Sequence, residues 1–404
     1  MNKFKYFFIL LIAATALVSC NKNDDDDFQV EPLRDFATQY ATDKATIEGY
    51  LNTHYIVVTE SSGNVEDMDV VIDSIKDPMT QVPIMSYKAN VGTAVYPQLK
   101  SKNVDLHGIT YQYYYLVLRE GTGDSPMNTD GVLASYSGSY LKDVAKTDKH
   151  SAYVKATFFE QLVYPQSFTD LTGVVLGWSE IFPEFKTGNA VGKEDGNISY
   201  MDFGAGVMFI PSGLGYYNTG NGSIPSYSPL VFSFKLYKLQ RLDHDGDGVL
   251  DVDEDINGDG FVRDYRNTTL YPVAPVNPDD TDKDGLADFI DIDDDGDGYT
   301  TLLEITKPTG KVGKVMENGV EVNYGPSKYF PFEAFTVVDD PATPNTNEAL
   351  NSEKRGIPRK PTGELTNDKL PESWSNPRKF TDDDYTASGR LRIHLDNSYP
   401  YKKN

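Results

Sequence analysis

The stretch Gly173-Val-Val-Leu-Gly-Trp-Ser-Glu180 reads as a turn, a short apolar run, and then a Gly-Trp pair opening a helix. Downstream, Phe209-Ile-Pro-Ser-Gly-Leu-Gly-Tyr216 reads as the end of a strand running into a loop that carries a tyrosine. Ser223-Ile-Pro225 then leads into Pro229-Leu-Val-Phe-Ser-Phe-Lys-Leu236, a closing strand with alternating aromatics. Upstream, Thr110 to Arg119 (TYQYYYLVLR) is rich in aromatic and β-branched residues and meets a Glu-Gly-Thr-Gly-Asp turn. Further short strands are expected at Val132 to Leu141, Ala152 to Phe159, Val207 to Ile210 and Leu230 to Leu239. The pattern is that of an antiparallel sheet with long loops, with Ser179 to Thr187 expected to supply one short helix.

The three motifs, in this order between residues 107 and 240, resemble the FKBP domain of peptidyl-prolyl cis/trans isomerases. Ser135-Tyr-Ser-Gly138 resembles that family's Tyr-Thr-Gly strand, and Phe158-Phe-Glu160 resembles its Phe-Asp pair. The resemblance implies an α+β fold, an FKBP-like antiparallel β-sheet wrapped around a short helix, and a pocket for the peptide bond preceding proline. Trp178 would be the pocket floor, lined by Val174 and Val175, with the Val175 amide facing the substrate carbonyl. Tyr136, Phe159, Ile224 and Phe232 would form the walls, and Tyr216 would offer its hydroxyl to the substrate backbone. Phe168 is a candidate for a further wall. Two positions depart from the family pattern: Glu160 stands where Asp is usual, and Tyr217 where Gly commonly follows the loop tyrosine.

The chemistry suits these residue types. Rotation about a peptide bond faces a barrier of roughly 18–20 kcal/mol because resonance stiffens the C–N bond. X-Pro bonds tolerate cis but interconvert slowly. No bond breaks, so neither a nucleophile nor a general base is required. The twisted transition state is less dipolar than the planar amide, so a dry aromatic pocket favours it over the hydrated ground state. The five histidines, His54, His107, His150, His244 and His394, show no triad or zinc spacing.

The first residues read as a targeting segment. Lys3 and Lys5 precede an apolar run of 12 residues, Phe7 to Val18, too short to span a membrane. The run ends in Leu17-Val18-Ser19-Cys20. It is either a signal peptide that happens to contain a cysteine or, as its likeness to the bacterial lipobox implies, a lipidation site at Cys20. Cys20 is the only cysteine in 404 residues, so it has no internal disulfide partner. The acidic run Asp24 to Asp27 serves as a solvated tether, and it also resembles the export signal of surface lipoproteins in the Bacteroidota. The expected location is therefore the outer membrane, facing the periplasm or the cell surface. A net charge of −24 argues against nucleic acid as a partner.

Residues 241 to 304 hold 20 Asp and Glu against 4 Lys and Arg, most of the chain's negative balance. Asp243 to Glu254 matches a twelve-residue calcium loop, with Asp243, Asp245, Asp247 and Asp251 at positions 1, 3, 5 and 9, Gly248 at 6 and Glu254 at 12. Asp293, Asp295, Asp297 and Glu304 repeat the pattern, with Thr301 at position 9. Asp280, Asp282, Asp284, Asp288 and Asp291 form a third copy, and Asp255 to Gly260 a partial fourth whose position 12 is Arg266. The loops follow too closely for EF-hand helices, and their overlap resembles thrombospondin type 3 calcium repeats. A disordered acidic spacer is the alternative. Bound Ca2+ would neutralise and order the block.

The expected order is signal peptide (1–19), acidic tether (20–30), N-terminal extension (31–106), isomerase domain (107–240), calcium loops (241–306) and an irregular region (307–404) with one late strand over Arg390 to Leu395. A helix is expected within residues 28–55, and short strands at Tyr55 to Val58 and Val70 to Ile72. The whole resembles isomerase lipoproteins of the Bacteroidota. Three functions are open: a folding catalyst for Pro-containing exported polypeptides, a non-catalytic Pro-peptide clamp, or a calcium-dependent structural or adhesion protein.

Overall fold

The computed structural model describes residues 33–192, 196, 198–317, 319–339, 347–373 and 375–399. The export segment, Cys20 and the Asp24 to Asp27 run lie outside them. Helix α1 (Phe36–Thr53) is capped by Asp35, whose carboxylate accepts from Thr38 N at 2.8 Å. It leads into the hairpin β1 (His54–Val58) and β2 (Val70–Ser74). The strands β3 (Gln98–Leu106), β4 (Ile109–Arg119), β5 (Gly131–Val144), β6 (Tyr153–Leu162) and β7 (Thr169–Asp170) follow. Helix α2 (Leu176–Ile181) precedes the hairpin β8 (Asn189–Gly192) and β9 (Ile198–Met201), then β10 (Gly204–Ile210) and β11 (Leu230–Gln240). The seven-stranded antiparallel sheet runs β3-β4-β10-β11-β5-β6, with β7 on β5.

One face of this sheet wraps around α2. Trp178, Ile181, Phe182 and Phe185 pack there on Tyr113, Tyr115, Val117, Met208, Ile210, Phe232 and Phe234. The other face is covered by the N-terminal segment, where Ile47, Tyr50, Leu51 and Ile84 meet Tyr114, Leu116, Val207, Phe209 and Val231. That double cover explains TYQYYYLVLR, which is apolar almost throughout: both sets of side chains on β4 are buried. Each such large side chain contributes about 1.5–3 kcal/mol on burial.

Three sequence expectations are corrected. The central helix spans Leu176–Ile181 rather than starting at Ser179, and Pro183, which has no N–H to donate, turns the chain into a 3-10 turn over Phe182–Glu184. The main sheet takes in Gln98–Leu106, which the expected boundary at 107 left in the extension, because β3 pairs with β4 from Ile109 through Val117. Arg390 to Leu395 is not a strand: Arg392 makes a single bridge to Arg359, and Ile393–Leu395 is a 3-10 turn. The buried Arg392 guanidinium is instead held by the Phe332 and Ile357 carbonyls.

The acidic block docks on the seven-stranded sheet and on the C-terminal region alike. Arg263 forms a two-pronged ion pair with Glu180 of α2, at 2.5 and 3.1 Å. Asn128 exchanges two hydrogen bonds with the Val262 backbone. On the other side Val249 and Ile305 share a small core with Phe330, Ile357 and Ile393. Among the described residues the C-terminal region is loop-rich, with short helices and strands: α3 (Thr301–Glu304) at its entrance, the hairpin β12 (Lys314–Glu317) and β13 (Val320–Asn323), and α4 (Asp383–Thr386). The Lys307–Glu353 pair, 2.6 Å and almost fully buried, pins this region. Among the described residues no helix is long and apolar enough to cross a membrane.

Candidate functional site

The sheet and α2 bring the expected pocket residues together. Trp178 on α2 is 5% exposed and lies edge-on to Tyr136 at 4.9 Å, to Phe232 at 5.2 Å and to Phe182 at 5.4 Å. Phe159 from β6 stands edge-on to Phe232 at 5.6 Å. Ile224 is buried in the same cluster, and Val174, Val175 and Tyr216 pack half-buried against it. Edge-to-face contacts of this kind fix ring orientations beyond what burial alone does. Gly138 makes the arrangement possible: a Cβ there would collide with the Phe159 ring and stand 2.9 Å from Phe232. Phe168 is not part of the pocket; it lies partly exposed beside Gly131 at the start of β5.

Glu160 sits exposed at the rim, and its Oε1 accepts from the Tyr136 hydroxyl at 2.8 Å. The longer carboxylate thus still holds the wall tyrosine. Burial, and then this bond, push the Tyr136 hydroxyl up to about 12, so it stays a neutral donor at working pH. Val175 is the extended residue immediately before α2.

The Tyr216 loop is held from a distance. Ser212 donates to the buried Asp43 carboxylate of α1 through its N–H at 2.7 Å and its hydroxyl at 2.5 Å. Gln39 donates to the same carboxylate at 2.7 Å. Tyr217 has φ of 38°, the left-handed conformation that glycine adopts more easily. Its ring stacks on Phe36 at 4.3 Å, and Phe36 stacks on His107 at 3.8 Å. The N-terminal helix therefore compensates for the departure at Tyr217. The roles of Asp43 and Phe36 at this loop are not marked in the sequence, because their partners lie far along the chain and no local motif links them.

The acidic loops are folded and share one construction. Their position-6 glycines, Gly248, Gly260, Gly285 and Gly298, all have φ between 85° and 100°. Position 1 caps the turn: Asp243 accepts from the Gly246 and Gly248 N–H groups. Ligand atoms of Asp243, Asp245 and Asp247 converge within 4.8 Å, as do those of Asp280, Asp282 and Asp284 and those of Asp293, Asp295 and Asp297. Glu304 is pushed up to about 10 by burial and then by Asp295, Asp297 and Asp293, which places it at the last set. Asp291 feels Asp284 and Asp282 and stands by the second. Position 9 plays a different part from the one expected. Asp251 accepts from His244 N at 3.1 Å, Asp288 from Thr281 N at 2.8 Å, and Thr301 Oγ1 from Asp294 N at 3.4 Å. Each closes its loop on position 2. Asp279, which the sequence reading passed over, does the same for the partial fourth loop by accepting from Ile256 N at 3.0 Å.

The donor set fits a hard divalent cation. Asp245 Oδ2, Asp247 Oδ2, Glu254 Oε1, Asp293 Oδ1, Asp295 Oδ2 and Glu304 Oε1 are buried with no hydrogen-bond partner among the described residues. All are oxygens, the ligand type calcium prefers. Burial and mutual repulsion raise the carboxylates, Asp245 to about 8 and Asp295 to about 7.

Comparison with known proteins gives four matches. The chain is 31% identical over 136 residues to the FKBP-type peptidyl-prolyl cis-trans isomerase FkpA of Aeromonas hydrophila, spanning 33% of this chain and 41% of that protein. Among solved structures, a peptidyl-prolyl cis-trans isomerase of Pseudomonas syringae pv. tomato is similar at 23% identity, with 40% of this chain and 99% of that one covered and a TM-score of 0.24. FkpA of Escherichia coli is similar at 25% identity over 32% of this chain and 48% of that one, with a TM-score of 0.23. The family described as BamM C-terminal matches residues 244–345, which span the acidic loops and the first part of the C-terminal region.

Proposed function

We propose that this chain is an FKBP-type peptidyl-prolyl cis/trans isomerase that accelerates rotation about X-Pro bonds in exported or surface proteins. One observation supports the reading: the rings of Tyr136, Phe159, Trp178 and Phe232 come together in one edge-to-face cluster, with Tyr136 held by Glu160. The curated relative of Aeromonas hydrophila supports it. The prolyl ring seats on Trp178 between the three other rings. The Val175 N–H meets the substrate carbonyl, and the Tyr216 hydroxyl holds the flanking backbone in a turn. The pocket excludes water from the amide, which stabilises the less dipolar twisted state more than the planar one. No proton or bond moves.

The acidic loops are read as calcium sites, held by Asp243, Asp245, Asp247 and Glu254, by Asp280, Asp282, Asp284 and Asp291, and by Asp293, Asp295, Asp297 and Glu304. Calcium bound there supplies charge neutralisation and cross-linking, not chemistry on the peptide. A lipid anchor at Cys20 places the protein at the outer membrane in this reading, which rests on the sequence around that residue.

The test is the refolding of a protein whose slow phase is X-Pro isomerisation, a phase of tens of seconds at room temperature. The chain should shorten that phase in proportion to its concentration. Tight binding of the unfolded client without any shortening would replace the catalyst by a non-catalytic clamp.

A further inference from the structure

We propose that a divalent cation held by Asp247, Glu254 and Asp294 ties the loop 243–254 to the loop 293–304. The proposal rests on the calcium reading above and adds a ligand that the loop pattern does not contain. Asp294 occupies position 2 of its own loop, where the pattern places no ligand. The corresponding residues of the other loops are His244, Ile256 and Thr281, none of them a calcium ligand type except through a hydroxyl.

Asp294 is nevertheless 1% exposed, and both its carboxylate oxygens are buried with no hydrogen-bond partner. The Thr301 hydroxyl lies close by and accepts from the Asp294 N–H at 3.4 Å. One oxygen each from Asp247, Glu254 and Asp294 lie within 4.8 Å of one another. Asp247 and Glu254 are 2% and 3% exposed and each has an unpartnered buried oxygen of its own. After burial, the groups acting most strongly on Asp294 are Asp247 and Asp288, and those on Glu254 are Asp294 and Asp247. All are acidic. Burying even one unpaired carboxylate costs several kcal/mol, and three that face each other repel as well. A cation at their centre resolves both costs. Three hard oxygen donors select calcium over softer metals.

The surroundings show two loops built as a pair. Val249 of the loop 243–254 and Ile305, just beyond the loop 293–304, share the core that also holds Phe330, Ile357 and Ile393. A Cβ at Gly248 would stand 2.8 Å from Ile305 and 3.2 Å from Leu302, so the loops approach closely at that point. The loop 243–254 follows directly on the last strand of the sheet, and the loop 293–304 leads into the C-terminal region. A cation between them therefore sets how firmly residues 305–399 are held to the isomerase-like sheet.

The experiment uses the full-length chain in detergent, with calcium chloride as the probe. Calcium affinity is measured by titration calorimetry, and thermal unfolding is followed with calcium and with excess chelator, for the wild type, Asp294→Asn, Glu254→Gln and the double variant. Asp294→Asn is expected to weaken one class of calcium sites on the order of tenfold or more. In chelator the same variant is expected to melt higher than wild type, because it removes a carboxyl group that is buried against two others without a partner. These opposite signs separate a ligand from a structural residue. The Glu254→Gln variant should behave alike, and the double variant should weaken binding by less than the product of the two. Wild-type calcium affinity in Asp294→Asn, or a lower melting point in both conditions, would overturn the proposal while leaving the loops as calcium sites. A wild type that binds no calcium would sink the loop reading itself.

Discussion

Replacing Asp43 by Ala is expected to weaken the whole isomerase-like unit and to do so through the Tyr216 loop. Asp43 lies on α1, outside the part of the chain that resembles an FKBP domain, and is 1% exposed. It accepts from both the N–H and the hydroxyl of Ser212, at 2.7 and 2.5 Å, and from Gln39. Hydrogen bonds to a charged acceptor contribute about 1.5–3 kcal/mol each, and a buried N–H left without an acceptor costs about 1–3 kcal/mol. The desolvation of the carboxylate offsets part of that sum, leaving a loss of about 3 kcal/mol or more. The Ser212 carbonyl also accepts from Tyr217 N at 2.9 Å, so a slackened Ser212 displaces the tyrosine loop. A misplacement of about 1 Å at a site of this kind costs up to 100-fold in rate. Urea unfolding of the full-length chain, read by tryptophan fluorescence, measures the first effect, and kcat/KM on an X-Pro peptide the second. Asp43→Asn, which keeps an acceptor, should fall between wild type and Ala. A stability loss below about 1 kcal/mol together with an unchanged rate would refute the claim that α1 positions the pocket.

Gly138→Ala should push Phe159 out of the pocket wall: a cost of about 1–3 kcal/mol in the urea midpoint from overpacking, with a larger proportional drop in kcat/KM. Unchanged kinetics would show that Phe159 does not line the site. Burial holds the His107 imidazole at about 4, below its ordinary value. Between pH 6.5 and 4 the unfolded chain therefore binds a proton that the folded chain does not, so the contribution is whole above pH 6.5 and is lost as pH falls through that window. His107→Asn, which suits the positive φ of 56° but cannot titrate there, should flatten the pH dependence of the urea midpoint between 6.5 and 4, and an equally steep curve would contradict this. Excess chelator should lower the melting temperature and open residues 243–304 to protease; full resistance would show that the loops do not need metal to hold their fold.

The sheet was legible because its strands carry period-two patterning or near-continuous aromatic and β-branched runs, and because turns bound them. The pocket was legible through motifs whose members come from separate strands but keep their order. What escaped the sequence has physical reasons. The central helix was misplaced by three residues because its start is set by Val175 in extended conformation and its end by Pro183, while Phe182 and Phe185 are drawn into the core. Arg390 to Leu395 alternates like a strand, yet among the described residues it makes only the single bridge from Arg392 to Arg359, and the Arg392 side chain satisfies carbonyls instead. The Asp43–Ser212 clamp joins residues that no local pattern connects. Asp251 and Asp288 fit a ligand position by spacing, but backbone N–H groups claim their oxygens first. Asp294 looked like one more charge in an acidic tract, and only its burial distinguishes it.

The most direct test of the central claim is the cis-to-trans rate of a short X-Pro peptide in the presence of the full-length chain, compared with a Tyr216→Phe, Phe159→Ala double variant whose fold is verified by circular dichroism. Acceleration by the wild type that the double variant loses is the predicted result. A correctly folded wild type that leaves the peptide at its spontaneous rate would contradict the isomerase reading.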